Sequence, residues 1–286
     1  MAHSTPAIAV AGALAYDQIC VTDRSLMDDG HPLLNRKLTH ITEDFGGCGG
    51  NIAYNLALLK RPTQLLSCTG SIDDASYLGR LEALGIDTNA CLRMENHYSA
   101  RAVIFTDQSG KQFTGFYPGP VPDTHYWLRH LAKVDWSATA LFIQAPYPAT
   151  LMHASLTAVR QQSRPPFAVF LPGQYADQLS ATEVCDLVEL ADCIVGNEHE
   201  ILCLEQHHGL GGKLVIRTHG PEPIEVRLTD DARVQIDVPA TSADVDPTGC
   251  GDAFAAAMCH YLLQQAQQQS MTLPSITESE SNLSQL

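Results

Sequence analysis

Asp246-Pro-Thr-Gly-Cys-Gly-Asp252 runs directly into Ala253-Phe-Ala-Ala-Ala-Met-Cys259, a glycine turn feeding a stretch of helix formers. Glycines at a helix start leave unpaired backbone N–H groups free to face a ligand, and the helix dipole favours negative charge there. Gly249, Cys250 and Gly251 therefore read as an anion hole. An Asp in the same turn is ill suited to holding an anion, but it can accept a proton from a hydroxyl about to attack phosphorus. Asp252 is the candidate base. For Gly-x-Gly-Asp alone, a helix cap on a tight turn is an equal reading; seven residues in pattern favour the anion hole.

Outward from this turn the chain alternates between strand-length apolar runs and helical spacing. Upstream come strand 141–144, helix 151–162, strand 167–171, helix 183–191, strand 193–195 and strand 213–217. Such alternation predicts an α/β fold, a parallel sheet covered by helices on both faces. The N-terminal part has the same rhythm: strand 8–12 with Asp17 just past it, helix 51–59 with Asn51 near its start, strand 65–69, and helix 75–84 stopped by Gly85. Between them, 100–106 and 112–117 flank Asp107-Gln-Ser-Gly110 and read as a β-hairpin. A β-rich stretch follows at 224–238, and the final helix is expected over 252–264. The Gln-, Ser- and Glu-rich segment 265–286 reads as a disordered tail, so one domain is expected over 1–264.

A formal charge of -15 with only 17 Lys and Arg excludes a polyanion partner, because nucleic-acid binding needs clustered cations. Nine cysteines without a Cys-x-x-Cys pair give no disulfide framework and point to a reducing cytoplasm. The apolar opening 6–15 is too short to span a bilayer. Two other motifs fail on spacing. Gly209-Leu-Gly-Gly-Lys213-Leu lacks the Ser or Thr of a P-loop, and His199-Glu200-Ile-Leu-Cys203 has Cys where a zinc-protease helix needs its second His.

The run Asp-Pro-Thr-Gly-Cys-Gly-Asp-Ala-Phe resembles the C-terminal signature of the ribokinase (PfkB) family of sugar and nucleoside kinases. Gly46-Gly-Cys-Gly-Gly-Asn51-Ile-Ala-Tyr-Asn-Leu-Ala resembles that family's N-terminal glycine pair and helix, Gly12-Ala-Leu-Ala-Tyr-Asp17 its substrate-aspartate loop, and Asn197-Glu-His-Glu200 its Asn-x-x-Glu motif. Order and spacing match over roughly 8–264. Within the family, Ser99-Ala-Arg-Ala, Phe116-Tyr-Pro-Gly119 and Val245-Asp-Pro-Thr-Gly249 look most like the prokaryotic adenosine kinases.

The resemblance implies a ribokinase-like sheet with a small β lid built from about 18–45 and 99–120, which would exclude water and pair with its equivalent in a homodimer. It implies transfer of the ATP γ-phosphoryl to a hydroxymethyl group, the 5'-hydroxyl of adenosine or another nucleoside, with Asp252 as base and the amides of Gly249, Cys250 and Gly251 facing the transferred group. Asp17, Gly46, Gly47 and Asn51 would hold the sugar and Phe116 the base. Asn197, Thr218 and Gly220 would border ATP, and Glu200 would act on Mg²⁺ through water. A carboxylate accepts two hydroxyl protons at once and an amide both donates and accepts, which suits the roles of Asp17 and Asn51. Ala102 stands where the second base-clamping ring is expected, so a sugar kinase is the alternative acceptor reading. Two departures leave a non-catalytic ligand-binding protein on the same fold as the other alternative: the chain turns polar where the family continues into a helix walling the adenine pocket, and 200–213 leaves little room for a helix.

Overall fold

Strict alternation along the central strands decides how this chain layers. Ile8 and Val10 join one buried cluster while Ala9 and Ala11 join another, and the same split recurs at Leu141 and Ile143 against Phe142, and at Leu214 and Ile216 against Val215. Successive strand side chains point to opposite faces, so these fully buried strands need helices on both sides. The computed structural model describes residues 8–28, 31–32, 35, 37–228, 232–239, 248–269 and 272–273. In chain order the strands are β1 (Ile8–Ala11), β2 (Ala15–Thr22), the short β3 (Met27–Asp28) and β4 (His31–Pro32), β5 (Leu38–Gly46), β6 (Thr63–Gly70), β7 (Cys91–Met94), β8 (Ala100–Thr106), β9 (Gln112–Tyr117), β10 (Leu141–Gln144), β11 (Phe167–Phe170), β12 (Cys193–Asn197), β13 (Leu214–His219), β14 (Glu222–Arg227) and β15 (Arg233–Ile236). The helices are α1 (Cys48–Leu58), α2 (Asp74–Ala83), α3 (Thr124–Leu131), α4 (Ala149–Arg160), α5 (Ala181–Leu190), α6 (Glu198–Glu205) and α7 (Cys250–Gln269).

Nine strands form the main sheet in the order β15-β14-β13-β12-β11-β10-β1-β6-β7. From β7 to β13 all pairs are parallel, and β14 and β15 add antiparallel at one edge. The helices α1, α2 and α7 cover one face and α3 to α6 the other. From β1 the chain winds outward to β6 and later restarts at β10 on its other side, so the order reverses between β1 and β10. Open α/β sheets place ligands outside the strand carboxyl ends at such a reversal.

A second sheet of four strands, β5-β2-β8-β9, is the expected lid. Its β8–β9 hairpin has the bounds read from the sequence, closed at Asp107, whose carboxylate accepts from the backbone N–H groups of Leu26, Ser109 and Lys111. Asp17 departs from the expectation: it lies inside lid strand β2, not in a loop after β1. Two helices are longer than read. α1 begins at Cys48, three residues before Asn51, because the glycines pack into its first turn. α7 passes Gln264 to reach Gln269, and Leu273 is buried against the core, so the boundary placed at 264 falls inside a helix. Gln and Ala are good helix formers, and the polarity of this stretch hid that. The tail from 274 onward lies outside the described residues. The segment after Glu200 does carry a helix, α6. Its Asn197 cap and Glu200 form a reciprocal capping box, which lets eight residues close within the short segment.

Candidate active site

Residues at or just beyond the carboxyl ends of β10, β11, β12 and β13 meet the start of α7 around a cavity of about 360 Å³. Its wall includes Gly249, Gly251 and Asp252 from the glycine turn, Asn197, Glu200 and Thr218 from the strand ends, and Cys48 from α1. A second cavity of about 680 Å³ adjoins it, sharing Asn197 and Thr218 and continuing past Gly220 to Gln235. The glycine turn expected to hold an anion and the residues expected to border a nucleotide therefore lie along one cleft. Asp246 and Pro247 of the signature lie outside the described residues. Gly249 adopts φ of 80°, a left-handed turn that hands the chain into α7.

Asp252 is 9 % exposed at the first turn of α7, and the Asn51 amide Nδ2 donates to its Oδ2 at 2.8 Å. That bond joins residues 201 positions apart, bringing the expected sugar-binding helix onto the expected base. Burial raises the Asp252 carboxyl above its ordinary range, and the hydrogen bond from Asn51 pulls it back. Glu200 is raised too, first by burial and further by the charge of Asp252, against a backbone hydrogen bond from Asn197. Both Glu200 carboxylate oxygens are engaged: Oε2 accepts from the Asn197 backbone at 3.1 Å and Oε1 from its Nδ2 at 2.8 Å. Among the described residues no group of three or more His, Cys, Asp or Glu side chains could hold a metal. Direct caging of a metal by carboxylates does not fit this donor set. Mg²⁺ held mainly by phosphates and water does fit, since that ion keeps several waters.

On the acceptor side, the Asp17 carboxylate lies over Gly46 so closely that a Cβ there would sit 2.2 Å from Oδ2. Gly47 has φ of 87°, and a Cβ on it would meet the Ala13 carbonyl oxygen at 2.6 Å, so this turn accepts only glycine. The Gly46 carbonyl accepts from Tyr77 at 2.8 Å, fixing the turn to α2. Burial, then the facing Asp44 charge, raises Asp17.

The lid register sets Asp44, Asp17, Ala102 and Phe116 in one row across β5, β2, β8 and β9. Residues paired directly across a sheet share a face, so Phe116 lies on the Asp17 side with Ala102 between them. Phe116 is 58 % exposed and lies outside the walls of both cavities, as does the exposed Cys250 thiol. On the opposite face, Arg101 reaches Glu43 and Asp73, and Tyr16 donates to the Asp73 carbonyl at 2.5 Å, tying the lid to the start of α2. Sequence reasoning missed Cys48, Gln174 and Asp44. Cys48 was hidden by starting the helix at Asn51, Asp44 becomes visible only through the β2–β5 register, and nothing in Leu171-Pro-Gly-Gln174 marks a cavity wall.

A doubly wound sheet with a glycine turn beside a buried carboxylate and a second, four-stranded sheet is the framework of the ribokinase-like fold. The chain belongs to the pfkB family of carbohydrate kinases, whose profile matches residues 6–272. It is 26 % identical over 278 residues to a nucleoside kinase of Methanothermobacter thermautotrophicus, covering 89 % of this chain and 82 % of that protein. Among solved structures, Burkholderia thailandensis nucleoside kinase in complex with inosine superposes with a TM-score of 0.73 at 26 % identity, over 95 % of this chain and 89 % of that one. Ribokinase from Cryptococcus neoformans in complex with ADP shares the fold at a TM-score of 0.77 and 19 % identity, over 96 % and 91 %. No described helix is long and apolar enough to cross a membrane.

Proposed function

We propose that this kinase transfers the ATP γ-phosphoryl to the 5'-hydroxyl of a nucleoside, adenosine or a related one. The observation carrying this reading is the Asn51–Asp252 hydrogen bond, which sets a sugar-binding amide and a buried carboxylate side by side beside the anion turn. Asp17 and Asn51 take the ribose hydroxyls, and the glycine pair Gly46-Gly47 lets backbone approach the ring. Asp252 accepts the 5'-hydroxyl proton as the oxygen attacks in line. The amides of Gly249, Cys250 and Gly251 face the charge developing on the transferred group, which is where preorganised donors help most. Thr218, Gly220 and Asn197 border ATP. Glu200 with Asn197 would order the water around a phosphate-held Mg²⁺, which would neutralise phosphate charge. The lid closes over the acceptor, and its exposed Ile41, Phe113 and Tyr117 suit pairing with a second copy. The free cysteines suit a cytoplasmic enzyme.

Phe116 provides one stacking face for the base. Replacing it with Ala should raise KM for adenosine roughly 2- to 10-fold, the worth of one aromatic contact, and leave KM for ATP unchanged. The specific observation favouring a sugar acceptor is Ala102, which leaves the row between Asp17 and Phe116 without a second ring. Steady-state kinetics with adenosine, inosine and ribose separates the two. A Phe116→Ala enzyme with unchanged adenosine kinetics, or a wild type that uses only ribose, sinks the nucleoside assignment.

A further inference from the structure

Two carboxylates meet on the acceptor face of the lid, and only Asp17 is accounted for above. Asp44 of β5 pairs with Asp17 of β2 in the antiparallel ladder, so their side chains leave the same face with Cβ atoms about 4.5–5.5 Å apart. Asp17 registers its neighbour: burial raises its carboxyl first, and the Asp44 charge raises it further. No cation offsets the pair from within the lid. Its four strands contain one Arg and no Lys. That residue, Arg101, pairs with Tyr16 and Tyr117 on the opposite face, where it is bound to Glu43 and Asp73. The basic side chain on the acceptor face is His40, which stands opposite Val21, four residues along β5 from Asp44. Among the described residues no protein donor reaches either carboxylate, so both keep their lone pairs for a ligand.

The row also fixes which part of an acceptor meets them. With the base against Phe116 on β9 and the ribose at Asp17 on β2, Asp44 lies one strand further on, away from the base. A nucleoside laid along the row turns the 3' side of its ribose toward Asp44, since the base leaves the ring at the other end. We propose that Asp44 is a specificity-determining residue: with Asp17 it presents two carboxylates to that ribose edge, admitting hydroxyl donors there and rejecting an acceptor phosphorylated on it. A ribose hydroxyl brings a proton that either carboxylate accepts. A phosphate brings only acceptors and negative charge, and like charges at this spacing repel. Asp44 is exposed, so salt screens that repulsion.

This inference rests on the nucleoside reading proposed above. The experiment compares kcat/KM of wild type, Asp44→Asn and Asp44→Glu for adenosine and for adenosine 3'-monophosphate, whose 5'-hydroxyl is free, at low and high NaCl. Where the phosphorylated acceptor turns over too slowly, its Ki against adenosine replaces kcat/KM. Wild type should prefer adenosine. At low salt Asp44→Asn should narrow that preference about 3- to 10-fold, the size of one like charge near contact in a largely aqueous setting. Asp44→Glu should keep it, and high salt should shrink the difference between wild type and Asp44→Asn. An unchanged preference in Asp44→Asn, or a narrowing that Asp44→Glu shares or that high salt leaves intact, overturns the role of Asp44. A wild type that does not turn over adenosine would instead remove the nucleoside reading itself.

Discussion

Asp252→Asn is expected to lower kcat for adenosine phosphorylation about 10²- to 10⁴-fold, the usual size of general-base catalysis, with KM for adenosine and ATP little changed. The substitution is nearly isosteric, and its amide oxygen still accepts from Asn51 Nδ2, so the α1–α7 contact survives. Thermal melting checks this. Asp252 is buried and its carboxyl pKa is raised on folding, so its charge works against the folded state at neutral pH. The neutral variant should melt at or above the wild-type temperature. A collapse in both activity and stability would instead assign Asp252 a structural role.

The second large effect belongs to Asp17→Ala. Each hydrogen bond from a sugar hydroxyl to a charged acceptor contributes about 1.5–3 kcal/mol. Losing a bidentate partner should therefore lower kcat/KM for the nucleoside by roughly 10²- to 10³-fold, allowing for non-additivity, with KM for ATP unaffected. Stability again separates binding from folding. Asp17 opposes Asp44 directly across the β2–β5 ladder, and like charges so placed destabilise a sheet. Removing one should not lower the melting temperature. A variant that melts early while keeping its acceptor affinity would refute the assignment.

The fold was legible wherever local pattern and tertiary structure agree. Runs such as Leu141-Phe-Ile-Gln144 and Phe167-Ala-Val-Phe170 are apolar on both faces, which only a doubly covered parallel strand requires. Boundaries set by packing were not legible. The α1 start depends on glycines fitting against Ala13 and Tyr77, and the end of α7 on Leu273 returning to the core. For the site, glycine turns and acidic residues were visible because their chemistry constrains spacing. What joins them was not, since the Asn51–Asp252 bond, the capping box that occupies Glu200 and the Asp44-Asp17-Ala102-Phe116 row arise from chain segments meeting in space.

The central claim is most directly tested by measuring ADP release from ATP and Mg²⁺ by the purified wild-type chain, with adenosine, inosine, ribose or no acceptor, and identifying the product. Acceptor-dependent ADP release with a nucleoside, yielding its 5'-monophosphate, is the predicted result. Nucleoside binding without turnover, or ADP release indifferent to the acceptor, would contradict it.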